Sequence, residues 1–269
     1  MSAGTIAAGG LVPGGVTRPA GTAGVPASVT PAGAQAVFRA VLDALARPGT
    51  VRRLPSASGE PLAAHVPAVL LPLLALADRS TPACVVSDEA GAWDEVVRVA
   101  TSAPRASLAD ARLVAALRPL ASGELAGLRT GTAAAPEDGA LACLAVSGIA
   151  IVEGADWAQA SVVARVTDEV DVAEAAEPED GDGDMDGDGH GGGREGGAPE
   201  GGGRVWLRLS GPGVPGTRAM IVTGLPAGFV AARRRLVAGF PAGADLLLIA
   251  PDGAMAGLPR TTVLDEGAR

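Results

Sequence analysis

The stretch "ADLLLIAPDGAMAGLPRTTVL", residues 244–264, carries the clearest fold signal in this chain of 269 residues. Its continuous apolar run from Leu246 to Ile249 is typical of a strand that is buried on both faces of a sheet. Asp252-Gly253 is a dipeptide typical of a tight turn, and a second apolar run follows it. The stretch therefore predicts a buried strand, a hairpin turn and a return strand.

Segments with helical and strand periodicity alternate along the rest of the chain. The first helix is predicted in "AGAQAVFRAVLDALARPG", residues 32–49, and Pro48-Gly49 ends it. Its inward face is predicted to hold Val37, Phe38, Val41, Leu42 and Leu45. Further helices are predicted at 66–77, 92–101, 122–128 and 227–240, and strands at 82–88, 112–117, 140–148, 204–211 and 217–225. The inward residues of the last helix are predicted to be Phe229, Leu236, Val237 and Phe240. This alternation predicts a single α/β domain in which helices flank a mixed β-sheet.

The composition restricts both the core and the chemistry. Hydrophobic residues make up 48% of the chain but aromatic residues only 2%, so the core is predicted to consist of Ala, Val and Leu. No lysine occurs in the chain. This excludes a Schiff-base lysine for pyridoxal phosphate and the lysine of a phosphate-binding P-loop. We therefore expect no pyridoxal phosphate cofactor on this chain.

The formal charge of −9 is distributed unevenly. Residues 168–203 contain thirteen acidic side chains and one basic residue, Arg194, which is a local balance of −12. The rest of the chain therefore carries a charge of +3. A mildly basic body is compatible with a phosphorylated ligand, but it is too weakly basic to indicate nucleic-acid binding.

The most conspicuous part of the acidic tract is "GDGDMDGDGH", residues 181–190. The residues that match the first half of a calcium-binding loop are Asp182, Asp184, Asp186 and Gly187. The twelfth position should supply a bidentate carboxylate, but it is Gly193, and no amphipathic helix flanks the tract. A disordered acidic linker is therefore the preferred interpretation.

A second motif, "GPGVPG" at residues 211–216, matches the glycine pattern of a dinucleotide-binding loop. Such a loop leads directly into a helix, whereas residues 217–225 have the pattern of a strand. No acidic residue occurs between 212 and 244 to hold a ribose. We therefore predict a hairpin connection at this motif.

The remaining polar clusters give weaker signals. Arg233, Arg234 and Arg235 are most simply a solvated helix face, with a phosphate-facing role as the alternative. His65 and His190 lack neighbours at metal-ligand spacing, so no specific metal site is predicted.

Cysteine usage and hydropathy indicate the compartment. Cys84 and Cys143 stand 59 positions apart without a CxxC pair, which favours two reduced, buried thiols. The N-terminus lacks the basic region of a secretory signal, and the most apolar run, residues 66–77, is too short to span a bilayer. We expect a soluble cytoplasmic protein that does not bind membranes.

Two segments have side chains suited to an anion. "RTGTAAAPE" (129–137) offers two hydroxyls around a glycine, and "LPRTT" (258–262) offers a guanidinium followed by two hydroxyls. These side chains are Thr130, Thr132, Arg260, Thr261 and Thr262. Guanidinium and hydroxyl groups are good donors to phosphate oxygens. The alternative interpretation is that they are ordinary turn and strand-end residues.

These segments belong to a set of six blocks that resembles a known family. The blocks are "FRAVLDALARPG" (38–49), "LLPLLALADRSTP" (70–82), "TGTAAAPEDGA" (130–140), "LRLSGPG" (207–213), "FPAGADLLLI" (240–249) and "LPRTT" (258–262). In this order they look like the H subunit of the bacterial carbon–phosphorus lyase (phosphonate) system. The resemblance covers residues 32–148 and 204–264.

The resemblance implies a homodimeric α/β protein similar in fold to pyridoxal-phosphate transferases but without the cofactor. It also implies a core complex with the G, I and J subunits. That complex displaces adenine from ATP with methylphosphonate and forms α-D-ribose 1-methylphosphonate 5-triphosphate; the J subunit then breaks the carbon–phosphorus bond. No catalytic residue is carried over to this chain. The residues in family blocks that are suited to contact a ligand or partner are Arg39, Thr130, Thr132, Glu137, Arg260, Thr261 and Thr262.

The chain departs from the family pattern in two places, the N-terminal leader and an internal insertion. Residues 1–30 are predicted to be a disordered leader, and residues 265–269 a short tail. Residues 149–203 are predicted to be a disordered acidic, glycine-rich insertion at a hairpin tip, because the family joins the two flanking strands by a short turn. The α/β domain is thus predicted over 31–264 with this interruption.

Three functions are compatible with the sequence. The first is a binding or structural subunit of the phosphonate-processing complex, contacting ATP or methylphosphonate or only its partner subunits. The second is a stand-alone enzyme on a phosphorylated sugar or nucleotide, with Glu137 or an aspartate as base. The third is a pure scaffold in which Arg260 only fixes the C-terminal strand.

Overall fold

The computed structural model describes residues 29–55, 66–88, 92–152 and 203–266. In chain order the helices are α1 (Pro31–Ala46), α2 (Leu71–Leu76), α3 (Ala92–Thr101), α4 (Ser122–Ala126) and α5 (Phe229–Leu236). The strands are β1 (Arg52–Arg53), β2 (Ala83–Val86), β3 (Leu113–Ala116), β4 (Leu141–Ala145), β5 (Gly148–Val152), β6 (Arg204–Ser210), β7 (Arg218–Thr223), β8 (Asp245–Ile249), β9 (Ala254–Leu258) and β10 (Val263–Glu266). Short 3₁₀ turns occupy Ala68–Leu70 and Pro136–Asp138.

The strands form two sheets. Sheet A has the order β1-β9-β8-β4-β3-β2, in which β2, β3, β4 and β8 are parallel and β9 and β1 are antiparallel. Sheet B is antiparallel and has the order β10-β6-β7-β5. The predicted α/β class with a mixed sheet is confirmed.

The hairpin predicted around Asp252-Gly253 joins β8 to β9. Gly253 N donates to Ala250 O at 2.9 Å, and Gly253 has a φ of +81°, in the left-handed region that glycine tolerates best. In the antiparallel register Leu246 lies opposite Leu258.

The two faces of sheet A contribute to two hydrophobic clusters, because alternate side chains of a strand point in opposite directions. Leu246 and Leu248 pack in the cluster that includes α4, α5 and sheet B. Leu247 and Ile249 pack in the cluster that includes α1 and α2. Sheet A therefore lies between two packed layers, and its four parallel strands are apolar on both faces.

Helix α1 is fixed at its start and lies on sheet A. The Thr30 hydroxyl accepts from Gly33 N at 3.2 Å, and Pro31 occupies the first turn. Val37, Val41 and Ala44 are buried, whereas Phe38 and Leu42 are 45% and 50% exposed. The prediction that Phe38 and Leu42 face inward was therefore wrong. The cause is that the buried stripe runs through Val37, Val41 and Ala44, whereas Phe38 and Leu42 each lie one residue, about 100° of rotation, further round the helix.

The approach of α1 to the sheet depends on Gly257 of β9. A Cβ atom on Gly257 would lie 2.3 Å from Ala44 O, far inside contact distance. Glycine thus permits the last turn of α1 to lie directly on β9.

Helix α5 is shorter than predicted. It ends at Leu236, and Ala238 N and Phe240 N then donate to Arg235 O and Val237 O in successive turns. Phe229 and Leu236 are buried as predicted, but Phe240 is 64% exposed. The inward orientation of Phe240 was wrong because the chain leaves helical geometry before this position.

The predicted boundaries also need correction. Ile149 to Val152 belong to β5, and the prediction that the insertion begins at 149 was wrong. Strands β5 and β6 do not pair with each other: both pair with β7, and Thr223 lies opposite Gly148 in β5 and opposite Arg204 in β6. The connection between β5 and β6 is therefore not a hairpin tip.

Asp265 and Glu266 extend β10 into the predicted tail.

Several predictions concern residues outside the described part of the chain. These are the leader over residues 1–28, the acidic tract with its calcium-like motif, His65 and His190, and the last three positions of the tail.

Candidate functional site

Most of the predicted phosphate ligands meet at one end of sheet A. Since β4 and β8 are parallel and β9 is antiparallel to β8, the segments before β4, before β8 and after β9 lie at the same edge. We call these three segments, residues 129–140, 237–244 and 259–262, the amino-end rim. They hold Thr130, Thr132, Glu137, Arg260, Thr261 and Thr262. Arg39 is not part of the rim; it lies exposed on α1.

The first two segments of the rim are interlocked through glycine. Gly243 N donates to Thr130 O at 2.7 Å, and Asp245 N donates to Ala140 O at 2.9 Å. A Cβ atom on Gly139 would lie 2.1 Å from Gly243 O, so no larger residue fits there without displacing the neighbouring segment. The rim is therefore a closely packed set of backbones.

Three arginines hold the 3₁₀ turn Pro136–Asp138 by its backbone. Arg260 Nη1 donates to Pro136 O at 2.5 Å, Arg112 Nη2 to Glu137 O at 2.8 Å, and Arg129 Nε to Asp138 O at 2.7 Å. Three consecutive carbonyls thus each accept from a different guanidinium. Because a hydrogen bond from a charged donor is stronger than one between neutral groups, this cluster fixes the conformation of the turn.

Arg260 is the most fully paired of these arginines. Its Nη2 donates to Asp245 Oδ2 at 2.7 Å and its Nε to Asp245 Oδ1 at 3.2 Å, while Nη1 also reaches Pro241 O at 3.4 Å. The Arg260 backbone N–H donates to the same carboxylate at 2.7 Å. The Arg260 side chain is only 14% exposed. Its contacts link all three segments of the rim, which is a structural role.

The hydroxyl groups of the rim face different surroundings. Thr132 Oγ1 accepts from Ala135 N at 3.0 Å inside its own turn, and Thr130 Oγ1 has only a 3.4 Å contact with Gly131 O. Thr261 is exposed. Thr262 is 3% exposed, and its hydroxyl has no hydrogen-bond partner among the described residues. These four hydroxyls therefore do not converge on one accessible position.

Sequence reasoning missed the most unusual residue of this region, Arg233. It is 1% exposed, whereas Arg234 and Arg235 beside it are exposed, so the predicted solvated face was wrong at this position. Arg233 lies four residues after the buried Phe229 and three before the buried Leu236. Helical periodicity could therefore have placed Arg233 on the inward face.

The Arg233 guanidinium lies beneath the turn that carries Arg260. Its Nη2 donates to Pro259 O at 2.7 Å and contacts Leu258 O at 3.4 Å. Burial lowers the pKa of Arg233 to about 10; the Asp245 carboxylate opposes this shift, and the Arg260 guanidinium adds to it. Arg233 is nevertheless protonated at neutral pH.

At the opposite, carboxyl end of sheet A a second charged group is organised around Glu124. Arg118 donates to both Glu124 oxygens at 2.9 and 2.8 Å, and Ala121 N donates to Oε2 at 2.8 Å. The hydrogen bonds from Arg118 and then from Ala121 lower the pKa of Glu124 to about 2. This end is where open α/β sheets usually bind ligands. Here the carboxylate holds the start of α4.

The "GPGVPG" motif has a packing role. It forms the β6–β7 connection, as predicted, since these strands are antiparallel neighbours. A Cβ atom on Gly213 would lie 2.5 Å from Ala46 O, so this glycine allows the loop to pack on the end of α1.

The two thiols lie on opposite faces of sheet A. Cys84 in β2 packs with the cluster next to sheet B, and Cys143 in β4 with the cluster beneath α1. Both are free cysteines, Cys143 buried and Cys84 half-buried. Burial raises the pKa of the Cys143 thiol strongly, as expected for an unreactive core residue.

The described residues offer neither a metal-binding cluster nor a membrane-spanning helix. They contain no group of three or more His, Cys, Asp or Glu side chains placed to hold a metal ion. They also contain no helix with the length and hydropathy needed to cross a membrane.

Taken together, the described part of the chain is an α/β protein with a mixed six-stranded sheet, a smaller antiparallel sheet and an arginine-rich rim. The family model of the bacterial phosphonate metabolism protein (PhnH) matches residues 27–160 and 198–265, about three quarters of the chain. The chain therefore belongs to this family, and its role is in phosphonate metabolism. A search of curated proteins finds no match. The unmatched residues 161–197 fall inside the predicted insertion, which stays a prediction.

Proposed function

We propose that this protein is a structural and partner-binding subunit of the carbon–phosphorus lyase core complex. In this role it assists the formation of α-D-ribose 1-methylphosphonate 5-triphosphate from ATP and methylphosphonate, with release of adenine. The observation that carries the proposal is the family match over both halves of the domain. The complex as a whole is then the transferase, and the isolated chain is not catalytic.

The geometry of the amino-end rim favours a structural role over a catalytic one. Arg260 donates to one carboxylate and two carbonyls, so a phosphate would have to displace existing bonds to reach its guanidinium. Glu137 is exposed, and the backbone carbonyl of Glu137 rather than its side chain receives Arg112. A general base usually acts from within a concave pocket that shields the reacting groups from water, whereas the Glu137 side chain is exposed. The stand-alone enzyme is therefore the weaker candidate.

Exposed apolar side chains indicate where partners could dock. On α1, Phe38 and Leu42 are one helical turn apart and both about half exposed. Phe240 at the rim and Val263 at the start of β10 are more exposed still. We propose that such residues contact a second copy of the chain or the G, I and J subunits, because large apolar groups in interfaces supply most of the association energy.

We also propose that the protein acts in the cytoplasm without a cofactor of its own. Cys84 and Cys143 cannot bridge each other across sheet A, which is compatible with a reducing compartment.

Co-expression with the G, I and J subunits tests the subunit role. Tagged wild-type chain should co-purify with the three partners in a fixed stoichiometry. The double variant Phe38→Ser, Leu42→Ser should lose either dimerisation, measured by light scattering after size exclusion, or partner capture. Val99→Ser on α3 is the matched control, since Val99 is 55% exposed and lies on another helix. A chain that stays alone in the presence of all three partners would refute the proposal.

The rival functions predict different results for the isolated chain. An enzyme should turn over ATP with methylphosphonate, or another phosphorylated sugar or nucleotide, in the absence of partners. A ligand-binding subunit should give heat with ATP or methylphosphonate in calorimetry, whereas a pure scaffold should give none at millimolar ligand.

A further inference from the structure

The turn Pro259–Thr262 encloses donors that the described residues do not satisfy. Arginine has five N–H groups, and only Nη2 of Arg233 has acceptors, the carbonyl oxygens of Pro259 and Leu258. Arg233 Nε and Nη1 are buried without a hydrogen-bond partner among the described residues. The Thr262 hydroxyl is also buried and also lacks a hydrogen-bond partner there. Thr262 N also donates to Pro259 O, at 2.9 Å, so Arg233 and Thr262 share one acceptor atom and lie next to each other.

Positive side chains also outnumber negative ones around this turn. Arg233 and Arg260 are two guanidinium groups, and the carboxylate that acts on Arg233 is that of Asp245. Asp245 is already paired with Arg260 through both oxygens. The group of three therefore carries one positive charge in excess, beneath a turn where Arg233 is 1% exposed.

A buried guanidinium with unpaired N–H groups is costly, because desolvation is not offset by an acceptor. Native proteins satisfy such donors in the great majority of cases. Here the unmet requirement is for acceptor atoms beside the neighbouring residues Arg233 and Thr262 and for one negative charge. A small oxyanion meets both requirements, whereas a neutral acceptor meets only the first.

We infer that Arg233 and Thr262 form a binding site for one small tetrahedral oxyanion, a phosphate or phosphonate group. Arg233 supplies charge and N–H donors, and Thr262 supplies a hydroxyl donor. Arg260 contributes charge but keeps its bonds to Asp245 and to the rim. The occupant is a free small ion rather than the triphosphate of a nucleotide, because the donors are enclosed: Thr262 is 3% exposed and Arg233 is 1% exposed.

The run of three arginines offers a matched test on the isolated full-length chain. Thermal unfolding is measured in chloride and in inorganic phosphate or methylphosphonate at the same ionic strength. Wild type should gain about 3–6 °C in melting temperature once the ion exceeds its Kd about tenfold. Arg234→Met should gain the same, since Arg234 reaches outward to Asp265 Oδ1 at 2.8 Å. Arg233→Met should gain nothing.

A second pair keeps the test decisive if Arg233→Met does not fold. Thr262→Val removes the buried hydroxyl at constant shape and should weaken the ion's effect several-fold, whereas the exposed Thr261→Val should not. ATP at equal concentration should protect no better than chloride. An equal phosphate effect in wild type and both Arg233→Met and Thr262→Val would overturn the inference, as would stronger protection by ATP than by phosphate. The measurement needs no partner subunit, so its outcome is independent of the co-purification experiment.

Discussion

The Arg118–Glu124 pair gives a prediction whose size and pH dependence both follow from the structure. Glu124 accepts two hydrogen bonds from Arg118 and one from Ala121 N, and its pKa falls from an ordinary 4.5 to about 2. A shift of this size corresponds to at most about 3.4 kcal/mol of stability at neutral pH. The Glu124 side chain is 34% exposed and that of Arg118 32%, so solvent screening reduces the expected contribution to about 1–2 kcal/mol.

The pH dependence follows from the sign of the shift. A carboxyl whose pKa is lower in the folded state stabilises the fold above its unfolded pKa, here 4.5. This stability is lost as the pH falls from about 4.5 toward 2, and roughly half of it or less remains at pH 3. Glu124→Gln removes the charge but keeps an oxygen that can accept from Ala121 N. The variant should therefore be less stable than wild type at pH 7, with a difference that shrinks at acid pH.

Urea unfolding at pH 7, 5, 4 and 3, analysed for midpoint and slope, measures this difference. A double-mutant cycle with Arg118→Met isolates the coupling between the two side chains. Asp88→Asn is the matched control, because Asp88 contacts the same arginine at 3.5 Å but its side chain is 84% exposed. It should change stability by less than about 0.5 kcal/mol. A coupling energy near zero, or a Glu124→Gln effect that is the same at pH 7 and pH 3, would refute the reasoning.

Three further predictions concern the framework. Arg260→Met should lower the free energy of unfolding by about 2–4 kcal/mol in urea titrations, because it leaves the Asp245 carboxylate without its closest cation; a loss below 1 kcal/mol would contradict the structural role. Gly257→Ala should cost about 1–3 kcal/mol, because the new Cβ would lie 2.3 Å from a carbonyl oxygen of α1. Gly148→Ala, where nothing lies within 4 Å, should cost little in the same assay. Deleting residues 161–197 should change the melting temperature by less than about 3 °C, and a collapse would show that this segment stabilises the fold.

The sequence predicted the elements well where the signal is local. Strand β8, the Asp252-Gly253 turn and β9 lie where the apolar runs and turn residues indicate, and the segment after "GPGVPG" is a strand. These features depend on periodicity of two and on turn chemistry, both of which neighbouring residues determine. The α/β class follows from their alternation.

The sequence could not predict features that depend on distant partners. Periodicity places Phe38 and Leu42 on the apolar side of α1, but which edge of that stripe is buried depends on Gly257, which is more than two hundred positions away. The separation of β5 from β6 likewise depends on β7 occupying the position between them. Strand neighbours are a non-local choice that the individual strand patterns do not encode.

The contacts of the candidate site residues could not be predicted for a related reason. Arg260 and the rim threonines were singled out because their side chains are suited to phosphate. The two partners of the Arg260 side chain other than Asp245 are backbone carbonyls, those of Pro136 and Pro241. Every residue has a carbonyl, so no sequence pattern marks the ones that a guanidinium will contact. Backbone carbonyls also explain why Arg233 was missed. Pro259 O and Leu258 O accept from its guanidinium, so Arg233 can face inward while Arg234 and Arg235 are exposed.

Arginine side chains also explain how loops are held in a protein whose core is poor in aromatic residues. A guanidinium can donate in several directions at once, and three of them fix three consecutive carbonyls of the turn Pro136–Asp138. A lysine in any of these positions would offer a point charge without the planar fork, and the chain contains none. The cost is that an arginine used in this way is not free for a ligand. By the same logic the N–H groups that remain for an anion are those the framework leaves unpaired, and next to the rim these belong to Arg233 on α5.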